Sequence, residues 1–271
     1  MRKGETLGWT AAALPPILVV AGLFFLPSVL SVISSFQTKQ GWSLANYQRV
    51  GDLYLKDIRF TVLVSLISLF LTLLIGVLVS GYCRLHQNRL VEWLFKIPLF
   101  VPFVVTGHAI RILLAPHGLA NSLLASAGLI NIEHPIPFTG NWVGIAIALA
   151  WKNMALAVLL ILGAFRGVDE SYLEAARNFG AAKWRQVLDV LLPMSKSSLA
   201  VVAVLIFTSM LGSFNIPVMV GGGDGAKMLM VDVYYNIVYQ NNYGVANALG
   251  VAAYLLSAGA AVYYLRAVKT N

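Results

Sequence analysis

Six long apolar runs punctuate the chain, near residues 7–33, 60–83, 91–114, 142–165, 198–220 and 243–265. They are continuous rather than alternating, which does not fit the two-residue period of a membrane β-barrel strand. Each is about long enough to cross the hydrocarbon core of a bilayer as a helix, the form in which backbone groups bond within the segment. The pattern predicts an all-α membrane protein with six transmembrane helices in a single domain over residues 1–271. The first run stays uncharged from Thr6 to Thr38, too long for the apolar core of a cleaved signal peptide, so it is read as a retained span. The third run contains Pro98, Pro102 and Arg111, and the fourth contains Lys152. Proline is tolerated in a span where neighbours satisfy the freed carbonyls, so both are read as continuous helices.

The polar stretch between the fourth and fifth runs, about 166–197, has helical order of its own. Ser171 and Glu174 have capping-box spacing, which predicts a helix starting near Tyr172. Tyr172, Ala175, Ala176 and Phe179 then share one face, and Gly180 suits the left-handed position after a helix end. A second helix is expected from about Ala181. Trp184, Val187, Leu188 and Leu191 form its apolar face, and Lys183, Arg185, Gln186 and Asp189 its polar one. Pro193 marks the approach to the fifth run. Two apolar stripes on short surface helices have to be covered. They either pack on the chain's own spans and the lipid headgroups, or dock a soluble partner.

Composition supports the membrane reading. Hydrophobic residues make up 59% of the chain and charged residues 11%, against about 25% charged in a soluble domain. The net charge of +8 does not come with a basic, aromatic-interleaved surface of the kind that binds nucleic acid. With the N-terminus inside, the outside segments carry Lys39, Arg49, Lys56, Arg59 and Lys227. Apart from Arg111 and Lys152, the rest of the 19 Lys and Arg fall on the inside, which predicts both termini in the cytoplasm. Asp and Glu are expected to stay outside the spans. Arg111 is placed to snorkel outward. Lys152 lies too deep for that; it either lines a pathway or bonds carbonyls of a neighbouring helix.

Several chemical readings fail. His86, His108, His117 and His134 lack metal-ligand spacing, so no metal is expected. The single cysteine, Cys83, reads as a small hydrophobe. The stretch from Gly221 to Met228 imitates a phosphate-binding loop, but Ala226 and Met228 stand where that loop needs Gly and Ser or Thr. With no nucleotide site, cofactor site or clustered acid, base and nucleophile, the chain is read as a non-enzyme.

The loop resembles a known family. Glu174-Ala175-Ala176, Gly180-Ala181 and Leu192-Pro193 stand in the register of the binding-protein-dependent ABC importer permeases of the methionine-permease-like type. Similar segments flank it, among them residues 117–124, Trp151-Lys152, and Gly212 to Pro217. The resemblance implies a bacterial inner-membrane permease subunit with a cytoplasmic helix–Gly–helix coupling loop between spans four and five. It also implies a second permease subunit, a related but different chain, together with two cytoplasmic ABC ATPase subunits and an external solute-binding protein. Tyr172, Glu174, Ala175, Ala176, Phe179, Gly180 and Ala181 would contact the ATPase; Lys152, Phe214 and Asn215 are candidates for the pathway wall. The branch most similar carries polyamines, iron(III), thiamine and phosphonates, so the solute is expected to be polyamine-like or a small anion. The alternative class is a transporter driven by an ion gradient, which tends to show inverted repeats and midplane ionisable residues.

Overall fold

The computed structural model describes residues 14–221 and 225–269. The N-terminal part of the first run, with Arg2 and Lys3, therefore lies outside the described residues, as do residues 222–224 of the glycine stretch. Among the described residues, four helices are long and apolar enough to cross a membrane: α1 (Leu14–Ser35), α2 (Ala45–His86), α6 (Trp142–Arg166) and the apolar length Tyr243–Val262 of α12. Two bent pairs complete the set. Helix α3 (Arg89–Phe100) meets α4 (Phe103–Leu113) at 107°, and α8 (Lys183–Met194) meets α9 (Lys196–Leu211) at 81°. Short helices fill the connections: α5 (Leu119–Ser126), α7 (Glu170–Asn178), α10 (Asn215–Val220) and α11 (Leu229–Val238). A two-residue hairpin pairs β1 (Gln37–Thr38) with β2 (Gly41–Trp42).

Contacts divide the chain into two compact units, one built from residues 1–55 and 232–254 and the other from 56–231 and 255–271. In the first, polar side chains fasten apolar helices. Asn46 Nδ2 donates to the carbonyls of Ser35 and Gln37, each at 2.9 Å. Ser31 Oγ donates to Asn247 Oδ1 at 2.8 Å. Leu23, Phe24 and Phe25 of α1 stay exposed, as a lipid-facing helix requires.

The second unit is built on α6. Ala148, Leu149, Ala155, Ala157, Val158, Ile161 and Phe165 are all fully buried. Helices α3, α4, α9 and α10 pack around them. Small residues set the spacing: a Cβ on Gly76 of α2 would meet Ile161 Cδ1 at 3.1 Å. Side chains also bond the backbone outside the helices. Thr61 Oγ1 accepts the Leu229 N–H and Asp57 Oδ1 the Lys227 N–H, both at 2.8 Å.

The third and fifth runs are broken rather than continuous, and the break in the third has a chemical cause. Pro102 cannot donate to the Pro98 carbonyl four residues earlier, and it forces Val101 into the extended region, with φ −89° and ψ 122°. The expected helix over 91–114 is therefore two. The helix expected over 198–220 stops at Leu211; Gly212, Ser213 and Phe214 carry the chain to α10. The second helix begins 15 residues before the apolar run does, because hydropathy marks the lipid-soluble length and not the helix. Glu92 is a correction too. It lies inside α3, within the third run, where its carboxylate holds Lys96 Nζ and Arg166 Nη2, both at 2.6 Å. Lys96, counted with the loops, lies in the same helix.

Candidate functional site

Helix α7 opens at Asp169, whose Oδ1 accepts the Ser171 N–H at 2.8 Å. The expected Ser171 cap is thus displaced by two residues, because Asp169 reaches the free N–H groups first. Hydrogen bonds from the Ser171 side chain and backbone hold the Asp169 carboxyl below its usual range. That stabilisation is present above the ordinary carboxylate pKa and is lost as the pH falls through the lowered value. The helix ends as the sequence requires. Gly180 has φ +78°. Its N–H bonds the Arg177 carbonyl and the Ala181 N–H bonds the Ala176 carbonyl, each at 2.9 Å. These two bonds form the paired closure of a left-handed helix cap.

The two faces of α7 differ. Leu173 is fully buried and anchors the helix to the core. Tyr172, Glu174 and Ala175 are exposed, and Phe179 is 92% exposed. Ala176 and Ala181 are half-buried at the edge. The stripe of Tyr172, Ala175 and Phe179 is therefore turned away from the chain's own spans. In the second loop helix Leu191 is buried and Val187 half-buried, while Trp184 and Leu188 are exposed. Gln186, expected on the polar face, is buried and donates to the Ala181 carbonyl at 3.0 Å. Residues Gln186–Leu191 form a wider π-helical turn, which rotates side chains away from an ideal α-helical wheel.

Lys152 occupies the break between α3 and α4. Its Nζ donates to the Pro98 carbonyl at 2.8 Å and also to the Val101 carbonyl. It stands 4.6 Å from the centre of the Phe103 ring, within cation–π reach. The ammonium thus supplies the donor that Pro102 lacks. Phe214 and Asn215 stand at the other break, before and at the start of α10, both half-buried. The pathway candidates are therefore split between two helix breaks. Arg111 is exposed in the last turn of α4. Sequence reasoning missed Arg84, counted there only as one inside charge; the signal that could have found it is its place at the C-terminal turn of a long helix, next to the loop.

Comparison with known proteins covers the same ground. Residues 73–268 match the profile of a family described as the binding-protein-dependent transport system inner membrane component. The sulfoquinovosyl glycerol transport system permease protein of Agrobacterium fabrum is 29% identical over 222 residues, 78% of this chain and 70% of that protein. The spermidine/putrescine transport system permease protein of Escherichia coli is 25% identical over 80% of this chain and 81% of its own length. The Escherichia coli sulfate transport system permease protein is 24% identical, covering 93% of this chain and 88% of its own. Among solved structures, a bacterial ABC transporter that imports the acidic polysaccharide alginate superposes with a TM-score of 0.76 at 18% identity. That match covers 97% of this chain and 96% of the other. Inward-facing conformations of a methionine ABC transporter superpose at 0.61 with 18% identity, over 82% of this chain and 97% of that one.

Proposed function

Because the chain belongs to the family of binding-protein-dependent inner-membrane transport components, the permeases of ABC importers, we propose that it docks a cytoplasmic ATPase through α7 and forms half of a solute pathway. The observation that carries this reading is the exposed stripe of Tyr172, Ala175 and Phe179 on a helix anchored from behind by Leu173. Glu174, Ala176, Gly180 and Ala181 complete the docking surface. On this reading each bent pair counts as one span, giving six spans in one permease domain with both termini in the cytoplasm. A related but different permease chain supplies the other half of the pathway, and two ATPase subunits hydrolyse ATP, so this chain is not an enzyme. An external binding protein delivers the solute. Lys152, Phe214 and Asn215 are proposed for the pathway wall.

The solute is taken as polyamine-like or a small anion. Relatives named for spermidine/putrescine and for sulfate stand at nearly the same identity, so the family position alone favours neither charge. Uptake of labelled putrescine and of labelled sulfate or phosphonate into vesicles carrying the whole importer, with its binding protein, decides between them. Uptake of either only in the presence of ATP supports the proposal. Uptake driven by an ion gradient without ATP would favour the gradient-driven class.

Orientation is tested separately. His86 Nε2 and Lys183 Nζ are 2.8 Å apart, so the turn after α2 and the loop before α8 share one side of the membrane. Reporters fused after Asn88 and Ala182 are expected to read as cytoplasmic, and those at Gly41 and Gly225 as external. An external signal at Ala182 would remove the docking surface from the ATPase's compartment.

A further inference from the structure

The loop's apolar face explains how a partner would hold it, but not how its movement would reach spans that do not flank it in the chain. The last turns of α2 supply a physical link. Arg84 lies there with a side chain only 13% exposed. Its Nε donates to the Phe165 carbonyl at 3.0 Å, and its Nη2 to the Val168 carbonyl at 3.1 Å. Its Nη1 is 2.8 Å from Glu170 Oε2. One guanidinium therefore joins the end of α2 to the end of α6 and to the first residue of α7. The other Glu170 oxygen takes Arg177 Nη2, and Arg177 Nε returns to the Leu173 carbonyl at 3.3 Å. Two further contacts come from the same end of α2. A Cβ on Gly81 would lie 2.8 Å from Val187 Cγ2, so α8 packs directly on that helix. His86 meets Lys183 beyond it.

Chemistry favours arginine here. The Phe165 carbonyl lies in the last turn of α6, where carbonyls carry the negative end of the helix dipole, and Val168 follows just beyond that end. A planar guanidinium with five donors can serve two carbonyls and a carboxylate at once; a lysine ammonium is a single centre on a flexible stem. We infer that Arg84 is a positioning residue that makes α2 follow α7 when the docked loop moves, so that ATP-driven motion reaches a span that does not adjoin the loop in the chain. The inference rests on the docking role proposed for α7. Helices α6 and α9 flank the loop in the chain and would still be pulled without Arg84; α2 would keep only its packing, such as Gly81 against Val187, and the His86–Lys183 contact, without the guanidinium's three-way bond.

The test is the amount of solute moved per ATP hydrolysed in vesicles containing the whole importer and its loaded binding protein. Arg84→Lys should leave the complex assembled and ATP hydrolysis within about twofold of wild type, while solute moved per ATP falls about fivefold or more, the scale of a typical coupling term. Glu170→Gln keeps both carbonyl bonds of Arg84 and removes its ion pair, together with that of Arg177, so its ratio should fall by less. An unchanged ratio in assembled Arg84→Lys overturns the inference. A loss of hydrolysis and uptake in the same proportion does so as well, because it marks a purely structural role. If Arg84→Lys does not accumulate, Glu170→Gln decides alone: a lowered ratio supports the link and an unchanged one overturns it. Failure of the docking reading is distinguishable, since the ATPase would then be retained and coupled even when Ala175 is replaced by Arg.

Discussion

Ala175→Arg should leave the chain in the membrane at near wild-type abundance and lower ATP-driven uptake at least about tenfold. Ala175 is exposed on α7, so an arginine there has room in the isolated chain and disturbs none of its own packing. It disturbs only a partner that comes close, and a small residue is what close approach requires. The loss should extend to assembly. Burying a phenylalanine such as Phe179 is worth about 1.5–3 kcal/mol, and a guanidinium wedged beside it forfeits much of that contact. A deficit of that size is roughly a ten- to hundredfold change in affinity. The ATPase retained per copy of this chain in detergent extracts should fall in step with uptake. Ala176→Arg is a weaker test, because Ala176 is half-buried and its replacement also strains the chain's own fold. Undiminished retention and uptake per copy in Ala175→Arg would mean that the stripe docks nothing.

The second large effect is expected at Lys152. Replacing it by glutamate removes the donor shared by the Pro98 and Val101 carbonyls and turns a carboxylate toward them and toward the face of the Phe103 ring. Each hydrogen bond to a charged group contributes about 1.5–3 kcal/mol, so losing two is comparable with a sizeable part of a typical domain's stability. The bend between α3 and α4 should slacken, and uptake per inserted chain should fall below about a tenth. Lys152→Gln retains an amide that can serve one carbonyl and should lose far less. Wild-type uptake and normal abundance for Lys152→Glu would show that the bend does not depend on this bond.

These two sites differ in how far the sequence discloses them. The α7 surface is local: its side-chain period and its left-handed glycine lie within a dozen residues and can be read from spacing, whereas the cap falls on Asp169, two residues before the spacing puts it. The structure adds that Leu173, and not the tyrosine stripe, is the anchor, because a helix on a surface can bury either of two neighbouring faces and only the tertiary packing chooses. The bend at Val101 was half legible. Pro98 and Pro102 announce a missing donor, but the donor that replaces it comes from Lys152, about fifty positions later, and that pairing leaves no local trace. The same holds for Arg84, whose partners Phe165, Val168 and Glu170 lie at the end of α6, just after it and at the start of α7, more than eighty positions away. Glu92 shows the reverse error. It lies in an apolar run, and only its two basic partners explain how it is tolerated there.

The proposed role of α7 requires it to touch an ATPase, and a photoreactive phenylalanine analogue placed at Phe179 measures that contact directly. Phe179 is 92% exposed, so the analogue fits without repacking. Trp42, 71% exposed in the hairpin, is the control position, expected on the other side of the membrane. Irradiated membranes carrying the assembled importer should yield an adduct of this 29.4 kDa chain with the ATPase from position 179 and none from position 42. Chains that are inserted and active in uptake, yet give no ATPase adduct from position 179, would contradict the central claim.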